Sequence, residues 1–188
     1  MTSSIDDFAD VLAAAQAGQE WAVAVLYDAL APSLLRYLAW QEPSAAEDLA
    51  GETWLGVAER LASFDGDEGA FRGWIFGIAR RRLADHRRRA ARRRTAPLPD
   101  DLLSTWSGGP DPADLVTEKV ATEDALAQVT RMLPADQAEV VVLRVVGRLS
   151  VEETARALSK RPGTVRVLQH RALRRLAREL GQESSVEV

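Results

Sequence analysis

Apolar residues recur along this chain at three- and four-residue spacings, the period of helices that pack by one face. Asp6 to Gln16 reads as a short amphipathic helix stopped near Gly18. Trp21, Val25, Leu26, Leu30, Leu34, Leu35 and Leu38 then predict a helix, or a pair with a bend near Pro32, because an interior proline lacks its N–H donor. Ser44 followed by Glu47 fits a capping box, opening a helix that runs to about Ala62 with Leu49, Thr53, Val57 and Leu61 as one stripe. Ser63 to Asp67 is a turn. The next helix carries Phe71, Trp74, Ile75, Ile78 and Arg82 on neighbouring turns and becomes almost wholly arginine after Ala79. Its first half suits a core and its second half solvent.

Residues 95–113 hold four prolines among glycines, serines and acids, and read as a flexible acidic linker. Trp106 within it suggests a docking contact. Helical spacing resumes with Val116 to Leu133 as one helix or two, and Pro134 opens another that ends at Gly147. Ser150 and Glu153 form a second capping box, followed by Val151 to Leu158 and then Thr164 to about Leu180. The fold expected is all-α, with two small helical domains at 1–94 and 114–180, linker 95–113, and a polar tail at 181–188.

Composition agrees, since alanine, leucine, arginine and glutamate dominate and strand-favouring residues are thin. The absence of cysteine excludes disulfides and thiolate metal sites. No stretch approaches about 18 uninterrupted apolar residues and the N-terminus has no secretory pattern, so no direct membrane insertion and a cytoplasmic location are expected.

Charge changes the picture further. Residues 1–79 carry 3 basic and 13 acidic side chains, whereas residues 80–94 carry 9 arginines and a single acid, Asp85. Residues 95–139 return to 2 basic against 9 acidic, and residues 140–188 hold 10 basic against 5 acidic. A net charge of -4 thus conceals two cationic segments, each suited to a polyanion.

The second cationic segment has the pattern of a helix-turn-helix. Thr154, Leu158, Val165 and Leu168 are spaced to share a core, Ala155 leaves room for the helices to meet, and residues 159–163 supply the turn. Val165, Leu168, Ala172 and Leu176 mark the inward face, which leaves Arg166, Val167, Gln169, His170, Arg171, Arg174 and Arg175 outward. Arginine can take guanine bidentately, glutamine adenine, and a valine methyl can pack on thymine. Lys160, Arg161 and Thr164 suit backbone phosphates. The same spacing also fits a helical hairpin with a solvated basic face. His86 and His170 lie in no metal-ligand spacing, so solvent or DNA contact is expected and no cofactor.

The arginine helix is too charge-dense for packing alone, because like charges at i,i+3 and i,i+4 repel. A polyanion relieves that repulsion. Phe64, Phe71, Trp74 and Phe76 lie close to it and offer stacking surfaces for unpaired bases. Trp74 also shares the apolar stripe of Phe71, Ile75 and Ile78, so core packing is its first reading.

In order and spacing these pieces resemble a bacterial RNA polymerase sigma factor of the extracytoplasmic-function group, in the sigma-70 family. The resemblance lies in Leu26–Leu38, Ala46–Leu55, Phe71–Arg80 (FRGWIFGIAR) and Asp85–Arg89, then in Leu133–Pro134, Val140–Leu143, Leu149–Ala155 and Gly163–Ala172. It implies a first domain of the region-two type, in which Glu47, Asp48, Glu52 and Trp54 lie near the contact with core polymerase. Phe64, Trp74, Arg80, Arg81, Arg82, His86, Arg87 and Arg88 would take the -10 element. A region-four domain would read the -35 element through Lys160, Arg161, Thr164, Arg166, Gln169, His170, Arg171 and Arg174. Core RNA polymerase, promoter DNA and an anti-sigma factor are the implied partners.

Two departures from the family pattern bear on DNA chemistry. Arg81 and Arg82 stand where an asparagine is frequent, and Arg166-Val-Leu-Gln169 replaces a common Lys-Ser-Arg-Leu, so the -35 sequence cannot be copied from a relative. A one-component helix-turn-helix regulator is the main rival, although its sensing domain would not be expected to end in an arginine helix. No nucleophile, base and oxyanion set converges, so no enzyme is expected.

Overall fold

The computed structural model describes residue 5, residues 7–95, residues 126 and 128, and residues 130–183. The helices are α1 (Phe8–Gln16), α2 (Glu20–Gln41), α3 (Ala46–Ala58), α4 (Glu68–Thr95), α5 (Ala135–Val145), α6 (Val151–Leu158) and α7 (Pro162–Glu183). Helical backbone is also present at residues 126, 128, 130 and 131. Thr95 of the expected linker and residues 181–183 of the expected tail are helical, the ends of α4 and α7; residues 96–113, Trp106 among them, and 184–188 lie outside the described residues, as does most of the helix expected before Leu133.

Helices α1 to α4 form one cluster. Leu26, Leu30, Leu34 and Leu38 of α2, Leu49 and Val57 of α3, and Phe71, Ile75 and Ile78 of α4 are all buried in it. Of the two alternatives at Pro32 the single helix is observed, α2 running for 22 residues with the proline inside it. Proline forgoes one backbone bond there, while buried side chains from Ala22 to Leu30 and from Ser33 to Leu38 anchor the helix on both sides of it. By length and apolar composition alone α2 could cross a membrane. Its buried leucines make it the central core helix instead. Trp21, Val25 and Leu35, expected in the core, are exposed.

The first capping box does not form either. Pro43, Ser44 and Ala45 wind into a 3-10 turn ahead of α3, which leaves Ser44 inside a turn and Ala45 as the N-cap. Helix α3 stops at Ala58 rather than near Ala62, and Leu61–Ser63 forms a second 3-10 turn. Asp67 then starts α4, its Oδ1 accepting from the Ala70 N–H at 2.6 Å.

Helices α5, α6 and α7 form a second, smaller cluster. Its capping box is complete, with Ser150 Oγ accepting from Glu153 N–H at 3.1 Å and Glu153 Oε2 accepting from Ser150 N–H at 2.7 Å. Ser159, in the left-handed region at φ 52°, turns the chain from α6 into α7. Thr154, Ala155, Leu158, Val165, Leu168, Ala172 and Leu176 are buried as the spacing predicts.

The two clusters pack against each other. Helix α6 lies along α4, and one hydrophobic core runs through both clusters. The reason is local: α4 carries Gly69, Gly73 and Gly77 on one face, and a Cβ at Gly73 would stand 3.0 Å from the Glu153 carbonyl oxygen and 3.2 Å from Arg156 Cβ. Without side chains there, the two helices meet at backbone distance.

Candidate nucleic-acid interface

Three surfaces collect the residues singled out in the sequence. The first is a groove between α2 and α3, lined by Tyr27, Ala31, Leu35, Arg36, Ala50 and Trp54, with Glu47 and Asp48 at its edge. Tyr27 and Trp54 stack at 4.9 Å between ring centroids. The Trp54 indole N–H is buried and lacks a partner, a polar group left over for an incoming acceptor. Glu52 does not join this groove, because its carboxylate turns to Arg89 of α4 at 3.6 Å. Tyr27 was missed in the sequence and Leu35 was assigned to the core, although Val23, Tyr27, Ala31 and Leu35 recur every four residues and trace one stripe of α2.

The second surface is α4. At its N-terminal end the Phe64 ring sits 5.2 Å from Phe71 and 4.9 Å from Trp74. Phe71 is fully buried, whereas Phe64 and Trp74 are half-buried. Further along, the arginines are partnered more than the sequence suggests. Arg80 pairs with Glu139 at 3.0 Å, Arg87 with Glu42 at 3.6 Å, Arg89 with Glu52, and Arg88 with Asp85. These carboxylates relieve part of the expected repulsion within the chain itself. Arg82 lies over α3, its guanidinium 3.2 Å from where a Cβ at Gly56 would be. Arg81 is exposed and His86 half-buried.

Glu139 joins the site with no local sequence signal of its own. Its Oε1 accepts from Arg80 Nε at 3.0 Å and from the Tyr37 hydroxyl at 3.1 Å. Burial first, then the Glu139 charge, push the Tyr37 hydroxyl above its ordinary pKa of 10.0.

The third surface is α7 and the turn before it. Lys160, Arg161, Thr164, Arg166, His170, Arg171 and Arg174 are all exposed there. Arg166 is held by Glu152 at 2.7 Å, and Gln169 is half-buried with its Oε1 accepting from Arg144 Nε at 3.3 Å. Arg171, Arg174, Arg175 and Arg178 line a separate basic groove with Gln137 of α5. Arg178 was missed in the sequence, though its spacing of three and four residues from the other arginines puts it on their face. Among the described residues no group of three or more His, Cys, Asp or Glu side chains gathers as a metal site.

Comparison with known proteins gives these surfaces a family. The family model for sigma-70 region 2 matches residues 26–93, and that for sigma-70 region 4 matches residues 123–176. The chain belongs to the extracytoplasmic-function (ECF) RNA polymerase sigma factors. It is 36% identical over 172 residues to the ECF RNA polymerase sigma factor BldN of Streptomyces coelicolor, covering 90% of this chain and 64% of BldN. It is 35% identical over 178 residues to the ECF RNA polymerase sigma factor SigD of Mycobacterium tuberculosis, covering 90% of this chain and 82% of SigD. CnrH, solved in complex with the cytosolic domain of CnrY, shares the fold with a TM-score of 0.64 at 22% identity, over 92% of this chain and 96% of CnrH.

Proposed function

We propose that this chain is a promoter-reading subunit of bacterial RNA polymerase and works in the cytoplasm. Residues 1–94 act as the region-two domain and 114–180 as the region-four domain, joined by an acidic linker at 95–113. The groove between α2 and α3 takes core polymerase through Trp54 and Tyr27, with Glu47 and Asp48 steering a basic partner and Glu52 contributing where Arg89 releases it. Phe64, Trp74 and the arginines from Arg80 to Arg88, with His86, take the -10 element. Helices α6 and α7 act as a helix-turn-helix whose second helix reads the -35 element from Lys160 to Arg174. An anti-sigma factor is the expected inhibitory partner.

The observation that carries this reading is the separation of two cationic helices, α4 and α7, on two clusters that each match one sigma-70 region. One cationic helix would position a protein on DNA; two can set the spacing of two elements. The mechanism is noncovalent, and the chain catalyses no reaction of its own. Opening about ten base pairs costs on the order of 10 kcal/mol, at roughly 1.4 kcal/mol of stacking per step. Base capture at Phe64 and Trp74 offsets part of that cost, and polymerase contacts supply the rest.

Purified chain and core polymerase test the proposal. Copurification of the two and selective transcript starts from a fragment library are expected. A chain that binds DNA alone but neither binds core nor selects starts is a one-component regulator.

A further inference from the structure

Helix α1 lies before the stretch that the region-2 family model covers, which begins at residue 26. It nevertheless reaches the side of α4 where Phe64 and Trp74 meet. Gln16, the last residue of α1, is half-buried, and its carboxamide Nε2 donates to two backbone oxygens of one turn, Leu61 O at 3.0 Å and Phe64 O at 2.8 Å. Both neighbours are acceptors, so both amide hydrogens are used and no charge is buried. Leu61 O also accepts from the Phe64 N–H at 3.0 Å, which closes the turn on itself. Gln16 thus fixes the backbone up to Phe64. Gly66 holds the ring from the other side: a Cβ there would stand 2.8 Å from Ala70 Cβ and 3.1 Å from Phe64 Cζ. Only glycine lets the chain pass this close.

Two further contacts brace the same corner. Phe8 of α1 lies 5.6 Å from the buried Phe71, which lies 5.2 Å from Phe64 and 5.8 Å from Trp74. The Ile5 N–H donates to Glu68 Oε2 in the first turn of α4 at 3.4 Å. We propose that Gln16 is a positioning residue for base capture: it holds the Leu61–Phe64 turn so that the Phe64 ring stands ready beside Trp74 for an unpaired base of the -10 element. The proposal rests on the promoter-reading function above and adds to it a residue outside the region-2 match. Its physical reason is preorganisation. Ala62, Ser63, Asp65, Gly66 and Asp67 are exposed, so little side-chain packing holds the turn besides Leu61 and the Phe64 ring. A loop that must become ordered as it takes a base loses affinity to entropy, and a loop already held does not. Gln16 acts on the backbone of the turn, so its effect passes through Phe64.

The test uses holoenzyme assembled from the full chain and core polymerase. The probe is the single non-template strand across the -10 element of a promoter selected from the fragment library. Gln16→Met keeps the length of the side chain and removes its donors. It is expected to weaken binding of that strand about tenfold, the scale of one or two net hydrogen bonds, with core affinity and helicity unchanged. Gln16→Glu has the same shape without the donors; it is expected to lose at least as much, and it carries the test if the methionine variant does not fold. A cycle with Phe64→Ala separates positioning from stability. Once the ring is gone, a Gln16 substitution should weaken the strand no further, whereas a merely structural role would lower affinity equally in both backgrounds. Wild-type affinity in the Gln16 variants, or a loss that persists with Phe64→Ala, overturns the proposal while wild-type binding leaves the promoter-reading function standing. If wild-type holoenzyme neither holds the strand nor starts transcripts, that function falls and the role of Gln16 with it.

Discussion

Arg80 and Glu139 are 59 residues apart in sequence and 3.0 Å apart in space. Their ion pair ties the arginine helix of the first cluster to the second, and the Tyr37 hydroxyl shares the same carboxylate oxygen at 3.1 Å. Glu139 is mostly buried, with 15% of its side chain exposed against 43% for Arg80, so the carboxylate depends on both donors.

Burial of the Tyr37 hydroxyl, and then the Glu139 charge beside it, give stability an alkaline limit. The Tyr37 pKa is raised in the folded state, so above pH 10 the unfolded chain loses the phenolic proton while the folded chain keeps it. Stability is complete below pH 10 and falls as pH rises beyond it, by about 1.4 kcal/mol per pH unit. Urea unfolding at pH 9 and pH 11 is expected to show that loss in the wild type and a smaller one in Tyr37→Phe. Equal slopes would mean that Tyr37 does not set the limit.

Ser150→Ala removes one bond of the complete capping box and leaves the Glu153 N–H without its side-chain acceptor. A loss of about 1 kcal/mol is expected from urea denaturation. Ser44→Ala should change stability far less, because Ser44 makes no cap bond to α3.

Trp54→Ala removes the ring that stacks on Tyr27 in the α2–α3 groove. Affinity for core polymerase should fall by roughly 2 kcal/mol, the scale of an aromatic hot spot. Glu47→Ala should act mainly on the association rate and its salt dependence. Titration of labelled chain with core polymerase, checked by circular dichroism for intact helices, separates the two effects.

Much of this fold was legible because its signals are local. The Ser150–Glu153 box, the helix from Val151 to Leu158 and the inward face of α7 follow from residues within one or two turns of each other. The Ser44–Glu47 box misled because the preceding Pro43 starts a 3-10 turn, which takes Ser44 away from the cap position. Pro32 left two alternatives open because local spacing does not tell whether packing on both sides outweighs one missing backbone bond. Long-range relations were the least visible. No spacing rule leads from Arg80 to Glu139, or turns Glu52 toward Arg89 and away from the groove. Gly69, Gly73 and Gly77 recur in the sequence at four-residue intervals, but their partner α6 lies far along the chain, and only the structure brings them together.

Footprinting of the complex with core polymerase on one selected promoter tests the account at its centre. Two separate protected zones are expected on the same duplex, with Arg171→Ala weakening the upstream zone and Arg80→Ala the downstream zone or its opening. A single protected zone, or loss of the same zone in both variants, would contradict the claim that this chain holds a promoter at two places.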